Sequence, residues 1–278
     1  MRVHLVQLDI RWEDKAANHA RIRELLDPVA LKRGDLVLLP EMFDTGFSIN
    51  VETTNDADGA SSGFMRNIAT EHGVYTQGSV TVIKDEKGRA FNRSLTFSPA
   101  GELISSYDKL HPFSYGRESE RFDGGNHTSS FNWESDAGDL LVFPTICFDL
   151  RFPELYRAGA SRGAEAFTVI ANWPSPRAEH WRTLLRARAI ENLAYVFAVN
   201  RAGPDPHLDY PGRSAVISPK GEVLAEMDGA EGVQSVPIDP AEPKCWRSEF
   251  PVLADRRSIL TRSADDLPAH EHNRSDCA

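Results

Sequence analysis

The sequence predicts an α/β protein built on a mixed sheet, and three observations carry that prediction. Short apolar runs at Leu36–Leu39, Ala166–Ala171 and Tyr195–Asn200 read as buried strands. Segments with helical spacing stand between them, among them 15–33 (Ile22, Leu25, Leu26, Val29) and 178–193 (Trp181, Leu184, Leu185, Ala189, Leu193). Strands at 74–83 and 90–98 flank Lys84-Asp85-Glu86-Lys87-Gly88, a hairpin-like turn. Helices alternating with strands, with hairpins mixed in, give α/β layers.

In order, Val3–Ile10 is a strand, and the 15–33 helix stops at Gly34. The run ending at Leu39 leads into Pro40-Glu41, and a loop to about Gly63 precedes a helix over 63–72. After the hairpin, Pro99–Glu102 turns the chain into a strand from Leu103 to Tyr107, ending at Asp108-Lys109. Residues 111–128 read as loop, and 129–147 as a hairpin whose second strand runs into Cys147. Pro153 suits the first turn of a helix reaching about Arg162, because its fixed φ and missing N–H fit there. Val216–Ser218 and Val223–Ala225 flank a further hairpin turn. With no internal repeat or low-complexity linker, one domain through residue 255 is the simplest organisation. Residues 256–278 read as a polar tail, whose His270-Glu271-His272 is solvated and not a metal site.

Composition excludes several classes. The 278 residues carry a net charge of −10, which argues against bulk binding of nucleic acid or an anionic membrane. No apolar run approaches membrane-spanning length, and Met1–Ile10 lacks the apolar core and cleavage site of a signal peptide. Cys147, Cys245 and Cys277 are too few and scattered for a disulfide framework or a zinc site, so the expected setting is a reducing cytoplasm.

Chemistry concentrates at strand ends. Glu41, Lys109 and Cys147 each follow a predicted strand, and side chains there can converge in one cleft. Cys147 reads either as a buried structural cysteine or as a nucleophile whose thiolate a nearby helix N-terminus favours. A nucleophilic cysteine needs a base and an electrophilic group for the developing oxyanion, roles open to Glu41 and Lys109. His111 and His180 are alternative bases, and each residue of the trio also has a plain structural reading.

The motifs go further. Leu38-Leu39-Pro40-Glu41-Met42-Phe43, Tyr107-Asp108-Lys109-Leu110-His111 and Ile146-Cys147-Phe148-Asp149-Leu150-Arg151-Phe152-Pro153-Glu154 together resemble the three blocks of the nitrilase superfamily of carbon–nitrogen hydrolases. The resemblance implies an α-β-β-α four-layer sandwich, commonly paired into a homodimer or a higher homo-oligomer, with no cofactor and no metal. It implies Cys147 as nucleophile, Glu41 as general base and Lys109 as oxyanion stabiliser, with the Phe148 backbone N–H completing the oxyanion hole. It implies a second active-site glutamate before Gly125-Asn126; Glu118 fits best, with Glu120 as runner-up. Ala171–Arg177, His180-Trp181, Arg186–Asn192 and Phe43–Phe47 are similar to the ω-amidase branch, which implies hydrolysis of a small carboxylated amide such as 2-oxoglutaramate. Phe43, Phe47 and Trp173 would wall the slot and Arg177 would meet the carboxylate, though Arg177 equally suits a solvated position before a helix. A nitrilase, an N-carbamoyl amidase, an amidase for a deaminated glutathione-like compound, and a catalytically silent scaffold are the alternatives.

Overall fold

The computed structural model describes residues 1–257; most of the predicted tail, with His270-Glu271-His272 and Cys277, lies outside the described residues. The chain lays down β1 (Arg2–Gln7), α1 (Lys15–Leu26), β2 (Leu36–Leu38), α2 (Val51–Thr54), α3 (Ala60–His72), β3 (Tyr75–Ile83), β4 (Ala90–Phe97) and β5 (Leu103–Asp108). It continues through β6 (Phe131–Ser135), β7 (Gly138–Ile146), α4 (Pro153–Ser161), β8 (Ala166–Ala171), α5 (Ala178–Asn192), β9 (Tyr195–Asn200), β10 (Ala202–Pro204) and β11 (Asp209–Pro211). The last elements are β12 (Ala215–Ile217), β13 (Val223–Glu226), β14 (Gly232–Pro237) and α6 (Glu242–Glu249).

Two six-stranded sheets result, ordered β14-β1-β2-β3-β4-β5 and β13-β12-β9-β8-β7-β6. Each has three neighbouring parallel strands, β1-β2-β3 and β7-β8-β9, and antiparallel strands outside them. One core cluster joins the facing surfaces: Val3, Leu5, Leu36 and Leu38 from one sheet meet Val142, Val169 and Phe197 from the other. The outer face of the first sheet packs Leu39 and Val80 against Ile22, Phe64, Met65 and Ile68 of α1 and α3. Helices outside, sheets inside: this is the α-β-β-α sandwich.

Several boundaries differ from expectation. The first helix ends at Leu26, with Asp27 as its cap. Pro28 accounts for this, since a proline in a continuing helix lacks the N–H and clashes with the carbonyl four residues back. The first strand ends at Gln7, and Asp9 makes only an isolated bridge to Ala202. The 111–128 loop contains two short 3₁₀ turns, at Ser114–Gly116 and Glu118–Glu120. Unforeseen elements are α2, β10, β11, β14 and α6; β14 closes the first sheet by pairing antiparallel with β1. Trp181, Leu185, Ala189 and Leu193, picked by spacing, are buried on α5 or at its end.

Candidate active site

Strand ends bring the chemistry together. Glu41 lies three residues beyond β2, Lys109 directly follows β5, and Cys147 directly follows β7. Lys109 and Cys147 line a cleft of about 630 Å³ at the sheets' edge, with Phe47, Phe148, Asn172, Trp173 and Arg177 among its walls. Glu41 and Glu118, both fully buried, stand against Lys109. Lys109 Nζ donates to Glu41 Oε1 at 2.8 Å and to Glu118 Oε1 and Oε2 at 3.1 and 2.8 Å.

Burial on its own would lower the Lys109 pKa, but Glu118 and then Glu41 outweigh it, and the ammonium is held above its ordinary value. Glu118 moves up, pushed by burial against the pull of Lys109. Its Oε2 also accepts the Phe113 N–H at 2.6 Å, which ties the 113–118 loop to the floor. Glu120 points elsewhere: it is exposed and paired with Arg117. Gly125 lets the chain return close to the lysine, donating to the Lys109 carbonyl at 2.9 Å. A Cβ at Gly125 would sit 2.4 Å from the Asp108 carbonyl oxygen.

Cys147 has φ +45° and opens a 3₁₀ turn, Cys147–Arg151, that precedes α4. A non-glycine residue in the left-handed region is strained and persists where its surroundings hold it. Asp149 does much of that holding. Its Oδ2 accepts from the Ile146 N–H (3.0 Å) and the Tyr107 hydroxyl (2.7 Å), and its Oδ1 from the His111 N–H (3.1 Å). The Lys109 and Cys147 strand ends are thereby stapled together. Of the two readings left open for Cys147, burial holds: the residue is 9 % exposed, and burial followed by the Glu41 charge raises the thiol pKa well above the ordinary value. Desolvation outweighs the nearby helix end and favours the thiol over the thiolate at this sulfur. It donates weakly to the Asn172 carbonyl at 3.8 Å. Asn172 also grips Glu41, its N–H donating to Oε2 at 2.8 Å and its side chain to the Glu41 carbonyl at 2.7 Å.

The walls divide the remaining candidates. The Phe47 ring centre is 5.3 Å from Lys109 Nζ. Trp173 is pinned, donating its backbone N–H to Asn200 Oδ1 at 2.7 Å and its indole N–H to the Arg177 carbonyl at 2.8 Å. Arg177 lies 5.3 Å from the Phe113 ring centre, on the cleft wall. Phe43 is a correction: it is fully buried in the core behind the first sheet, beside Phe64 and against Gly78, and walls no slot. A residue two past Glu41 on this sharply turning loop faces the helical layer. His111 hydrogen-bonds Asp149 and stacks on Phe152, and His180 accepts from Arg151; the groups that accept from the Lys109 ammonium are Glu41 and Glu118 instead.

Sequence reasoning gave no role to Asn92, Asn172, Asp149 or Arg151. Arg151 lines the cleft 4.8 Å from the Trp173 ring centre, its pKa lowered by burial and then by Arg177. Asp149 and Arg151 lay inside the block around Cys147, and Asn172 inside the block around Trp173, so proximity to those motifs was a usable signal. Among the described residues no cluster of three His, Cys, Asp or Glu is placed to hold a metal ion.

A two-sheet sandwich with a buried cysteine, lysine and glutamates at its strand ends defines a class of hydrolases. The carbon-nitrogen hydrolase family model matches residues 2–248, and the chain belongs to that family. It is thus an enzyme of carbon–nitrogen bond hydrolysis. It is 33% identical over 261 residues to the 2-oxoglutaramate amidase of Bacillus subtilis (strain 168), covering 93% of this chain and 98% of that protein. A solved CN-hydrolase superfamily protein of Xanthomonas campestris, with an arsenic adduct in its active site, is 39% identical at a TM-score of 0.84 and covers 93% of this chain and 97% of its own. A point mutant of the amidase from Nesterenkonia sp. AN1, solved with the acetamide moiety of fluoroacetamide added covalently at its active-site cysteine, is 26% identical at a TM-score of 0.80 and covers 94% of this chain and 95% of its own.

Proposed function

We propose that the protein hydrolyses the terminal amide of a small carboxylated substrate such as 2-oxoglutaramate and releases ammonia. The observation that carries this reading is the buried Glu41–Lys109–Glu118 cluster beside a protonated, buried Cys147. Glu41 takes the thiol proton as sulfur attacks the amide carbon. The oxyanion that forms faces Lys109 and the Phe148 N–H, one of those that a helical turn leaves without a partner at its start. Lys109 already contacts three carboxylate oxygens, so it serves chiefly by charge or by releasing one Glu118 contact. The intermediate collapses with cleavage of the C–N bond, and the proton on Glu41 passes to the departing nitrogen. Water, deprotonated by Glu41, then attacks the thioester; the C–S bond breaks and the proton returns to sulfur.

Arg151 and Arg177, two guanidiniums on one wall, suit a carboxylate, which needs a cationic partner when desolvated. The 2-oxoglutaramate amidase relative supports this substrate class, and the covalent adduct in the Nesterenkonia relative supports a cysteine nucleophile. The proposal includes a cytoplasmic setting and a homodimer or higher homo-oligomer. Exposed Ile190 on α5 and Val223 and Leu224 on β13 offer apolar surface for such pairing.

The test is a panel of ω-amides, ureido acids and nitriles assayed for ammonia, with Cys147→Ala in parallel. Wild type should favour the carboxylated ω-amide, and Cys147→Ala should lose at least ~10³-fold in kcat while unfolding at the wild-type temperature. A preference for nitriles or ureido acids defeats the substrate reading, and near-normal turnover by Cys147→Ala defeats the mechanism.

A further inference from the structure

Asn92 stands on β4, opposite Thr81 of β3, and is 1 % exposed. Its Nδ2 donates to Glu41 Oε1 at 2.8 Å and to Glu118 Oε1 at 3.2 Å, and its backbone carbonyl accepts the Lys109 N–H at 2.9 Å. One residue thus touches all three charged members of the floor. We propose that Asn92 is a positioning residue that bridges the two carboxylates with a neutral two-hydrogen donor and so steadies the cluster's negative charge beside Cys147. The inference rests on the amidase reading above.

The argument is one of charge and of orientation. Two ionised glutamates and one ammonium leave a buried cluster with surplus negative charge, and like charges at close range drive one carboxylate toward its protonated form. A second ammonium there would compete with Lys109, whereas a carboxamide offers two polarised hydrogens without a net charge. Only one amide orientation works, because a flipped Oδ1 would face two carboxylate oxygens. In the working orientation Oδ1 is buried and has no hydrogen-bond partner among the described residues. An orphaned buried oxygen costs stability, so the site keeps this amide although a side chain without the carbonyl would pack at lower cost. The titratable groups facing Asn92 and Glu41 are Lys109 from the end of β5, Glu118 from its 3₁₀ turn and Cys147 from the turn after β7.

Two variants test the assignment with 2-oxoglutaramate as probe. Asn92→Leu keeps the shape and removes both donors; Asn92→Asp sets a third carboxylate against the other two. For Asn92→Leu, kcat should fall about 10²-fold with KM within about threefold, and Asn92→Asp should fall further. The acid limb of kcat/KM should move up by about 1 pH unit in Asn92→Leu and more in Asn92→Asp, a movement that a merely structural residue does not produce. The unfolding temperature of Asn92→Leu should be unchanged or higher. The pH dependence of iodoacetamide alkylation at Cys147, followed by mass spectrometry, reads the cluster's charge at the sulfur without a substrate and should also differ between Asn92→Leu and wild type. A wild-type acid limb in Asn92→Leu, whatever its kcat, overturns the proposal, as does failure of both variants to fold. If wild type hydrolyses none of the panel while the alkylation limb moves, the amidase reading falls and Asn92 keeps its assignment.

Discussion

At the floor of the cleft Glu41, Lys109, Glu118 and Asn92 are each 0–1 % exposed, and their charged atoms are committed to one another. At its rim Tyr115 is 87 % and Leu208 41 % exposed, and Arg151 and Arg177 rest on aromatic rings without a carboxylate partner among the described residues. The floor is fixed by hydrogen bonds to β4, the 113–118 loop and Asn172, so its geometry exists before any ligand arrives. The rim is the part free to adapt. Such a division separates a preorganised floor from a rim whose side chains can be exchanged without disturbing it.

Removing Lys109, the cation of the floor, should give the largest effect. Lys109→Met leaves Glu41 and Glu118 facing each other in a buried site. Breaking a buried ion pair from one side costs about 3–5 kcal/mol, so denaturant unfolding should reveal a loss of that order together with lost turnover. At the rim, Tyr115→Ala should change stability by less than about 0.5 kcal/mol. A Lys109→Met protein as stable as Tyr115→Ala would erase the contrast.

The second expectation concerns recognition. Arg177→Ala should weaken kcat/KM for the carboxylated amide by about 1.5–3 kcal/mol, the worth of a hydrogen bond to a charged group, and leave a short neutral amide nearly unaffected. Arg151→Ala should act in the same direction, and the double variant should fall short of additivity if both guanidiniums hold one carboxylate. Equal losses on charged and neutral amides would make these arginines structural and move part of the rim into the floor.

How much of this was legible depended on whether the signal was local. Apolar runs ending at a polar residue marked the strand ends, which is why Glu41, Lys109 and Cys147 could be singled out. Motif spacing already favoured Glu118 over Glu120, and the 3₁₀ turn supplies the physical reason: it directs one carboxylate inward and hands the other to Arg117. Asn92 was out of reach: a polar residue inside a strand looks the same whether it faces water or two carboxylates across the fold. Phe43 misled because the motif lies on a sharp turn, with Met42 at φ +44°, where neighbours in sequence part company in space. The β14 strand was missed because its half-buried edge residues carry no apolar run.

The smallest expected effect probes whether the commitment extends behind the floor. The loop that carries Glu41 is anchored through Asp44, whose Oδ2 accepts the Ser61 hydroxyl at 2.7 Å; Ser61 Oγ in turn lies 3.1 Å from His19 Nε2. Burial raises the Asp44 carboxyl to about 6 and, with Lys15, lowers the half-buried His19 to about 4. The signs are opposite. His19 is harder to protonate folded than unfolded, so its contribution is present above its ordinary value of 6.5 and is lost as pH falls toward 4. Asp44 holds its proton better when folded, so its contribution is present below its ordinary value of 3.8 and is lost as pH rises through about 6. Between about pH 7 and pH 5 each effect is of order 1 kcal/mol, after discounting His19 for solvent screening, and they nearly cancel. Wild type should therefore show little change in unfolding temperature across that window. Acidification should raise the unfolding temperature of His19→Phe, relative to wild type, by about 2–4 °C and lower that of Asp44→Asn by a similar amount. Calorimetry at the two pH values decides it. Parallel behaviour of both variants and wild type would mean that solvent, and not the Asp44–Ser61–His19 chain, sets the protonation there, and that the fixed region stops at the floor itself.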